Sequence, residues 1–280
     1  MPESHLSIGA LLKEWRACRG VSQLELALEA SISARHLSCV ETGKAKASRE
    51  VVSRLADALC MPLRERNALM LAAGYAPEFT ETPLAKPTLD RMRDAIGLII
   101  KHQEPYPAFV INRHWDVLFT NEAAIRVNSF LTHGRPPKHT NLLHQIFDPD
   151  DFRRLFSNWP EVAGRFIRHL HHDIAAVPSD PIPRKLLDQI LSYPDVPARW
   201  RFHDLEPVTS PILRIAFHTP LGELRFFETI TTFAGPGDVT LDEIRIECSF
   251  PADDWTAEFC AKLARGEVST LGQAEMNCRG

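Results

Sequence analysis

Two polar clusters near the start of the chain carry side chains suited to gripping a nucleic acid. Gln23 opens one helical stretch, where its carboxamide can donate to a phosphate oxygen beside the free N–H groups of the helix end. Further on, Ser33, Ala34, Arg35, His36, Ser38 and Cys39 fall on the first turns of a second helical stretch. Arg35 is best suited to reading a base, because its guanidinium bonds both major-groove acceptors of a guanine. His36 and Ser38 are secondary, and Cys39 can pack only against a thymine methyl. Lys44, Lys46 and Arg49 follow in a loop, where cations hold phosphate without reading sequence. This arrangement is that of a helix-turn-helix, in which the second helix of the pair enters the major groove, so double-stranded DNA is the expected partner.

The elements that must position these side chains are written in short-range signals. Ile8, Leu11, Leu12 and Trp15 share one face of a first helix, which ends near Gly20. Ser22 and Glu25 form a capping box that starts a second, and Ser33 caps a third that ends at Thr42-Gly43. Helices at 49–60 and 63–73 complete an all-α domain over residues 5–75. Pro77, Pro83 and Pro87 mark residues 76–87 as a linker. Residues 88–257 then alternate between two periods. A helix is expected at 88–102, a hairpin of 108–111 with 115–119, helices from Asn121, Asn141 and Asn158, and another at 183–192. Strands are expected at 199–204, 211–219, 223–233 and 239–250, with a tail at 258–280. That order predicts an α+β domain with an antiparallel sheet and helices packed on one side.

The net charge of −4 hides an asymmetry: residues 1–75 carry ten Lys or Arg against eight acids, about +2, which leaves about −6 on the rest. Only the first domain is therefore suited to phosphate. The six cysteines stand apart without a C-x-x-C pair, as reduced thiols of a cytoplasmic protein would. No apolar run is long enough to span a bilayer, and Met1-Pro2-Glu3-Ser4 lacks the regions of a signal peptide, so no membrane role is expected. His169, His171, His172 and Asp173 lack a second ligand cluster, and a solvated helix face explains them as well as a metal does. Nucleophile elbows and phosphate loops are missing, so neither an enzyme, a metal site nor a cofactor is expected.

Leu12, Arg16, Ser22-Gln23-Leu24-Glu25-Leu26-Ala27, Ile32-Ser33, Leu37 and Val40-Glu41-Thr42-Gly43 resemble the Xre-type repressor domain. That resemblance makes Ala27 the small residue at the helix crossing and Glu41 the group that closes the recognition helix on the core. The second domain is similar to the MmyB-like regulators through Pro107–Leu118, Asn121-Glu122-Ala123-Ala124, Asn141-Leu142-Leu143, Asn158–Val162, Tyr193-Pro194-Asp195, Trp200, His203-Asp204 and Gly222-Glu223-Leu224. The likeness implies a PAS-related module that binds a small apolar molecule, a fatty acid above all, in a transcription regulator; operator symmetry in this type of binder leads to the expectation of a homodimer. Phe109, Trp115, Phe130, Phe147, Phe156, Trp159, Phe166, Phe217 and Phe226 are the candidate walls. Arg154, Arg165, His114 and His203 are candidates for a carboxylate head. If these aromatics only fill a core, the second domain is instead a dimerisation or protein-interaction module.

Overall fold

The computed structural model describes residues 7–84, 90–177, 179–202, 212–235 and 237–268. It divides into two compact units. One comprises Met1–Pro83 with Ile174–Asp180 and Gly235–Asp242; the other comprises Leu84–Asp173, Pro181–Ala234 and Glu243–Gly280.

The first unit is built on five helices: α1 (Ile8–Arg19), α2 (Gln23–Glu29), α3 (Ala34–Glu41), α4 (Arg49–Ala58) and α5 (Leu63–Ala72). Their starts follow local chemistry. Ser7, Ser22, Ser33 and Ser48 each accept a backbone N–H in the first turn, and the Ser22–Glu25 box is reciprocal. Leu12, Trp15, Leu26, Leu37, Val52, Leu55 and Leu69 are almost wholly buried in one core. Ala27 is 1% exposed, as a helix crossing requires. Gly9 has a stricter role, since a methyl there would lie 2.3 Å from the Glu41 carbonyl oxygen; α1 and α3 meet backbone to backbone. The expected linker is partly structured in this unit. Thr80 donates from its hydroxyl to Asp238 (3.0 Å), and its carbonyl accepts from the Val239 N–H (2.8 Å).

The second unit holds a five-stranded antiparallel sheet in the order β2-β1-β5-β4-β3, from strands β1 (Ala108–Ile111), β2 (Val117–Thr120), β3 (Arg214–Thr219), β4 (Gly222–Thr231) and β5 (Arg245–Pro251). That order makes the domain PAS-like, with β5, the last strand in sequence, at the centre. Its helices are α6 (Asp90–His102), α7 (Glu122–Leu131), α8 (Leu142–Phe147), α9 (Trp159–Ala176, whose end from Ile174 falls in the first unit), α10 (Pro181–Leu191) and α12 (Asp254–Ala264), while the short α11 (Val239–Asp242) belongs to the first unit. The outer edge of β3 is closed by the chain before α9. Ser157 N–H bonds the Ala216 carbonyl (2.7 Å), and Asn158 exchanges bonds with Ala216 N–H (3.0 Å) and Arg214 carbonyl (2.9 Å).

Three expectations are corrected. Residues 198–202 form a 3-10 helix, because Trp200 N–H turns back to Pro197 and finds no ladder partner. The strand expected at 239–250 begins only at Arg245, since the Asp238 side chain caps Thr240 N–H and winds Val239–Asp242 into a helical turn. The tail expected from 258 is helical to Ala264, with Phe259, Cys260 and Leu263 buried against Phe130 and Leu224.

Candidate functional site

In the first unit the α2–α3 pair presents its polar side outward. Arg35 and Lys44 are exposed, and their side chains make no hydrogen bond or ion pair among the described residues. His36, Ser38 and Cys39 are half-buried, and Ala34 packs on the core edge. The Ser33 hydroxyl accepts from His36 N–H at 3.1 Å. Lys46 and Arg49 are turned to their own chain: the Lys46 ammonium lies 5.5 Å from the Tyr75 ring centre, and Arg49 donates to the Ala76 carbonyl at 3.3 Å. Gln23 is tied as well, donating from Nε2 to Glu41 at 2.8 Å. A carboxamide nitrogen has two N–H bonds, so the second remains for a phosphate. Glu41, 4% exposed, also receives the Arg16 guanidinium at 3.0 Å, while another Arg16 N–H reaches the Val21 carbonyl at 3.2 Å. This network fixes the end of α3.

In the second unit two cavities lie against the sheet. The smaller, about 60 Å³, is walled by Phe109, Phe156, Phe166, Ile215, Phe217 and Phe226, with Asn128, Gln145 and Ser249 as polar members. The larger, about 350 Å³, is walled by Trp115, Arg165, Phe166, His169, Ile212, Leu213 and residues 227–230. Phe166, Glu228 and Glu247 belong to both walls. The larger volume lies in the usual range of small-molecule sites and the smaller does not.

Trp115 is held firmly in this wall. Its indole N–H donates to Asp173 at 3.0 Å, Arg245 lies 5.3 Å from its ring centre, and its backbone takes the left-handed φ of 71°. A left-handed tryptophan is costly, and these contacts hold it in place. Other expected wall residues lie elsewhere. Phe130 packs edge-on to Phe259 (4.9 Å between centres), in the cluster around α12. Phe147 is wholly buried against Trp159, whose N–H is spent on the Ile146 carbonyl. Arg154 is exposed on a 3-10 turn. His203 lies outside the described residues. Of the histidine cluster, His169 faces the Trp115 ring and lines the larger cavity, whereas His171 donates to the Trp200 carbonyl at 2.7 Å.

Sequence reasoning missed the polar members of the wall. Glu228 and Glu247 sit on adjacent strands, in a register that pairs Glu228 with Ser249 and Ile230 with Glu247. Ser249 donates to Glu228 at 3.3 Å. Desolvation pushes both carboxyls well above the usual range, Glu247 to about 8, where the neighbouring Glu228 also opposes its ionisation. Burial lowers the basicity of His169, which lines the larger cavity together with Arg165.

A helix-turn-helix unit joined to a PAS-like cavity domain defines a ligand-responsive, DNA-binding transcription regulator. Residues 7–69 match a helix-turn-helix domain family, and residues 92–263 match the MmyB-like transcription regulator ligand binding domain. The second match covers more than half of the chain, which belongs to that family. Among solved structures, an RNA-binding light-oxygen-voltage receptor aligns with 93% of this chain and 64% of its own, at 12% identity and a TM-score of 0.25. The chain thus spans less than two thirds of that relative's length. No curated protein matches. No helix among the described residues is long and apolar enough to cross a membrane.

Proposed function

We propose that the protein binds operator DNA as a homodimer through α3, with Arg35 reading a base and Gln23 and Lys44 on phosphate, under the control of an apolar small molecule held by the second unit. The observation that supports this most is the pair of adjoining cavities on the sheet face, in a chain whose other unit presents Arg35, unpaired among the described residues, on a capped helix. A fatty acid is the favoured class: five aromatic rings of the expected set line the smaller cavity, and Arg165 stands in the larger as partner for a carboxylate. Each methylene buried there contributes about 0.8 kcal/mol. The homodimer follows from operator symmetry, since one helix in one groove seldom gives enough specificity.

Denaturing extraction of the purified chain followed by mass spectrometry tests the ligand. Stoichiometric lipid, together with an operator affinity that changes when lipid is stripped, is the expected result. A protein that binds its operator identically with and without every apolar molecule tried would leave the second unit as an interaction module.

A further inference from the structure

The two cavities of the second unit share three side chains among the described residues. Two of them, Glu228 and Glu247, belong to β4 and β5, where ladder pairing holds them beside both volumes. The third is Phe166, which reaches the same place from α9. That helix lines the larger cavity with Arg165, Phe166 and His169, but the smaller with Phe166 alone among the described residues; α7 and α8 take over beyond it through Asn128 and Gln145. The Phe166 ring therefore stands between the two volumes on the helix side, opposite two fixed strand positions.

The larger cavity also has a direction. Ile212 and Ile230 in its wall are 50% and 46% exposed and mark its mouth, whereas Phe166 is 4% exposed and marks its inner end. The ring is firmly supported there. It stands edge-on to Trp115, 5.5 Å between centres, and Trp115 is itself held by Asp173 and Arg245. Behind the ring lies about 60 Å³ among Phe156, Phe217 and Phe226. That is too little for a ligand by itself but enough for the end of one, since a water-sized group needs only about 15 Å³.

We propose that Phe166 is the end stop of the ligand site: an apolar tail that enters the larger cavity from its mouth runs up against this ring, and the ring sets the longest chain that the second unit accepts. The proposal rests on the reading that the site takes a fatty acid, and it adds the residue that measures the tail. Each methylene that is buried strengthens binding about fourfold, and one that finds no room adds nothing. Affinity along a homologous series thus breaks at the length that meets Phe166. Shortening this side chain joins the smaller cavity to the larger and moves the break.

The experiment uses the full chain stripped of lipid and the saturated acids from octanoic to hexadecanoic in steps of two carbons, each below its micellar concentration, with affinity read by calorimetry. The unaltered chain is expected to bind successive acids about fifteenfold tighter per step up to one length, and no tighter beyond it. Phe166→Ala is expected to move that break out by at least one step, so that the first acid past the old break gains the full step over its shorter neighbour. Phe166→Leu keeps an apolar side chain; it should move the break in the same direction and no further, and it serves as the test should the alanine variant not fold. Phe130→Leu alters a ring of the same unit that lines neither cavity and should leave the break in place. A break that stays put in the folded Phe166 variants, a break that moves equally in Phe130→Leu, or a series without a break overturns the end stop and leaves the fatty-acid reading standing. Failure of every acid to bind overturns both.

Discussion

Glu41 and Glu247 are both buried residues, 4% and 2% exposed, yet their surroundings treat them in opposite ways. Glu41 receives the Arg16 guanidinium and the Gln23 carboxamide, each at 3.0 Å or less, so its charge is neutralised within the chain. Glu247 has a carboxyl for a neighbour, and no donor among the described residues reaches it. A buried acid with partners holds a fold in one arrangement. A buried acid without them weakens the fold.

Removing Glu41 should give the largest effect. Glu41→Ala leaves Arg16 and Gln23 without their acceptor and is expected to cost the helical unit about 3 kcal/mol, read as a lower unfolding midpoint by circular dichroism. A loss below about 0.5 kcal/mol would place the network with ordinary surface pairs. Next, Arg35→Ala should weaken binding to a selected operator by about 1–3 kcal/mol without moving the unfolding midpoint. Equal losses on operator and random DNA would make Arg35 a phosphate contact. Glu247→Leu should run opposite to Glu41→Ala and raise stability by about 1 kcal/mol, because it removes an unsatisfied group from an apolar wall.

The pH profile follows with its sign. Since the folded-state pKa of Glu247 is raised to about 8, the native state keeps a proton that the unfolded chain loses near pH 4.5. Stability therefore falls as pH rises from about 4.5 to about 8, with Glu228, Arg245, Arg165 and His169 as the other titratable or charged groups at these walls. The slope should be shallower in Glu247→Leu; an unchanged slope would assign it to other groups. Smallest of all, Lys44→Ala should reduce the salt dependence of DNA binding by about one unit of slope, and a parallel line would take Lys44 off the phosphate backbone.

The helical unit was largely legible because its signals are local. A serine three residues before a backbone N–H, with Glu25 answering Ser22, fixes a helix start whatever the rest of the chain does. The hairpin of β1 and β2 and the strand pair around Pro220-Leu221-Gly222 could be read for the same reason. The cavity could not. In β5 the alternation Arg245, Glu247, Ser249 against Ile246, Cys248, Phe250 reads as a polar face turned to solvent, but the central strand of a covered sheet has no solvent face. Of the aromatic residues singled out, Phe109, Trp115, Phe156, Phe166, Phe217 and Phe226 line the two cavities while Phe130, Phe147 and Trp159 pack elsewhere, because ring type says nothing about which neighbour a ring meets. A signal for α12 was present in Phe259, Cys260 and Leu263, whose spacing marks one side of a helix.

The segment that closes β3 has a further consequence. Phe156 lines the cavity, and the two residues after it satisfy the outer backbone of an edge strand. A ligand entering by displacing this wall would bare a row of unpaired N–H and C=O groups of the kind that recruits foreign strands. Entry by that route would expose the chain to aggregation at each exchange.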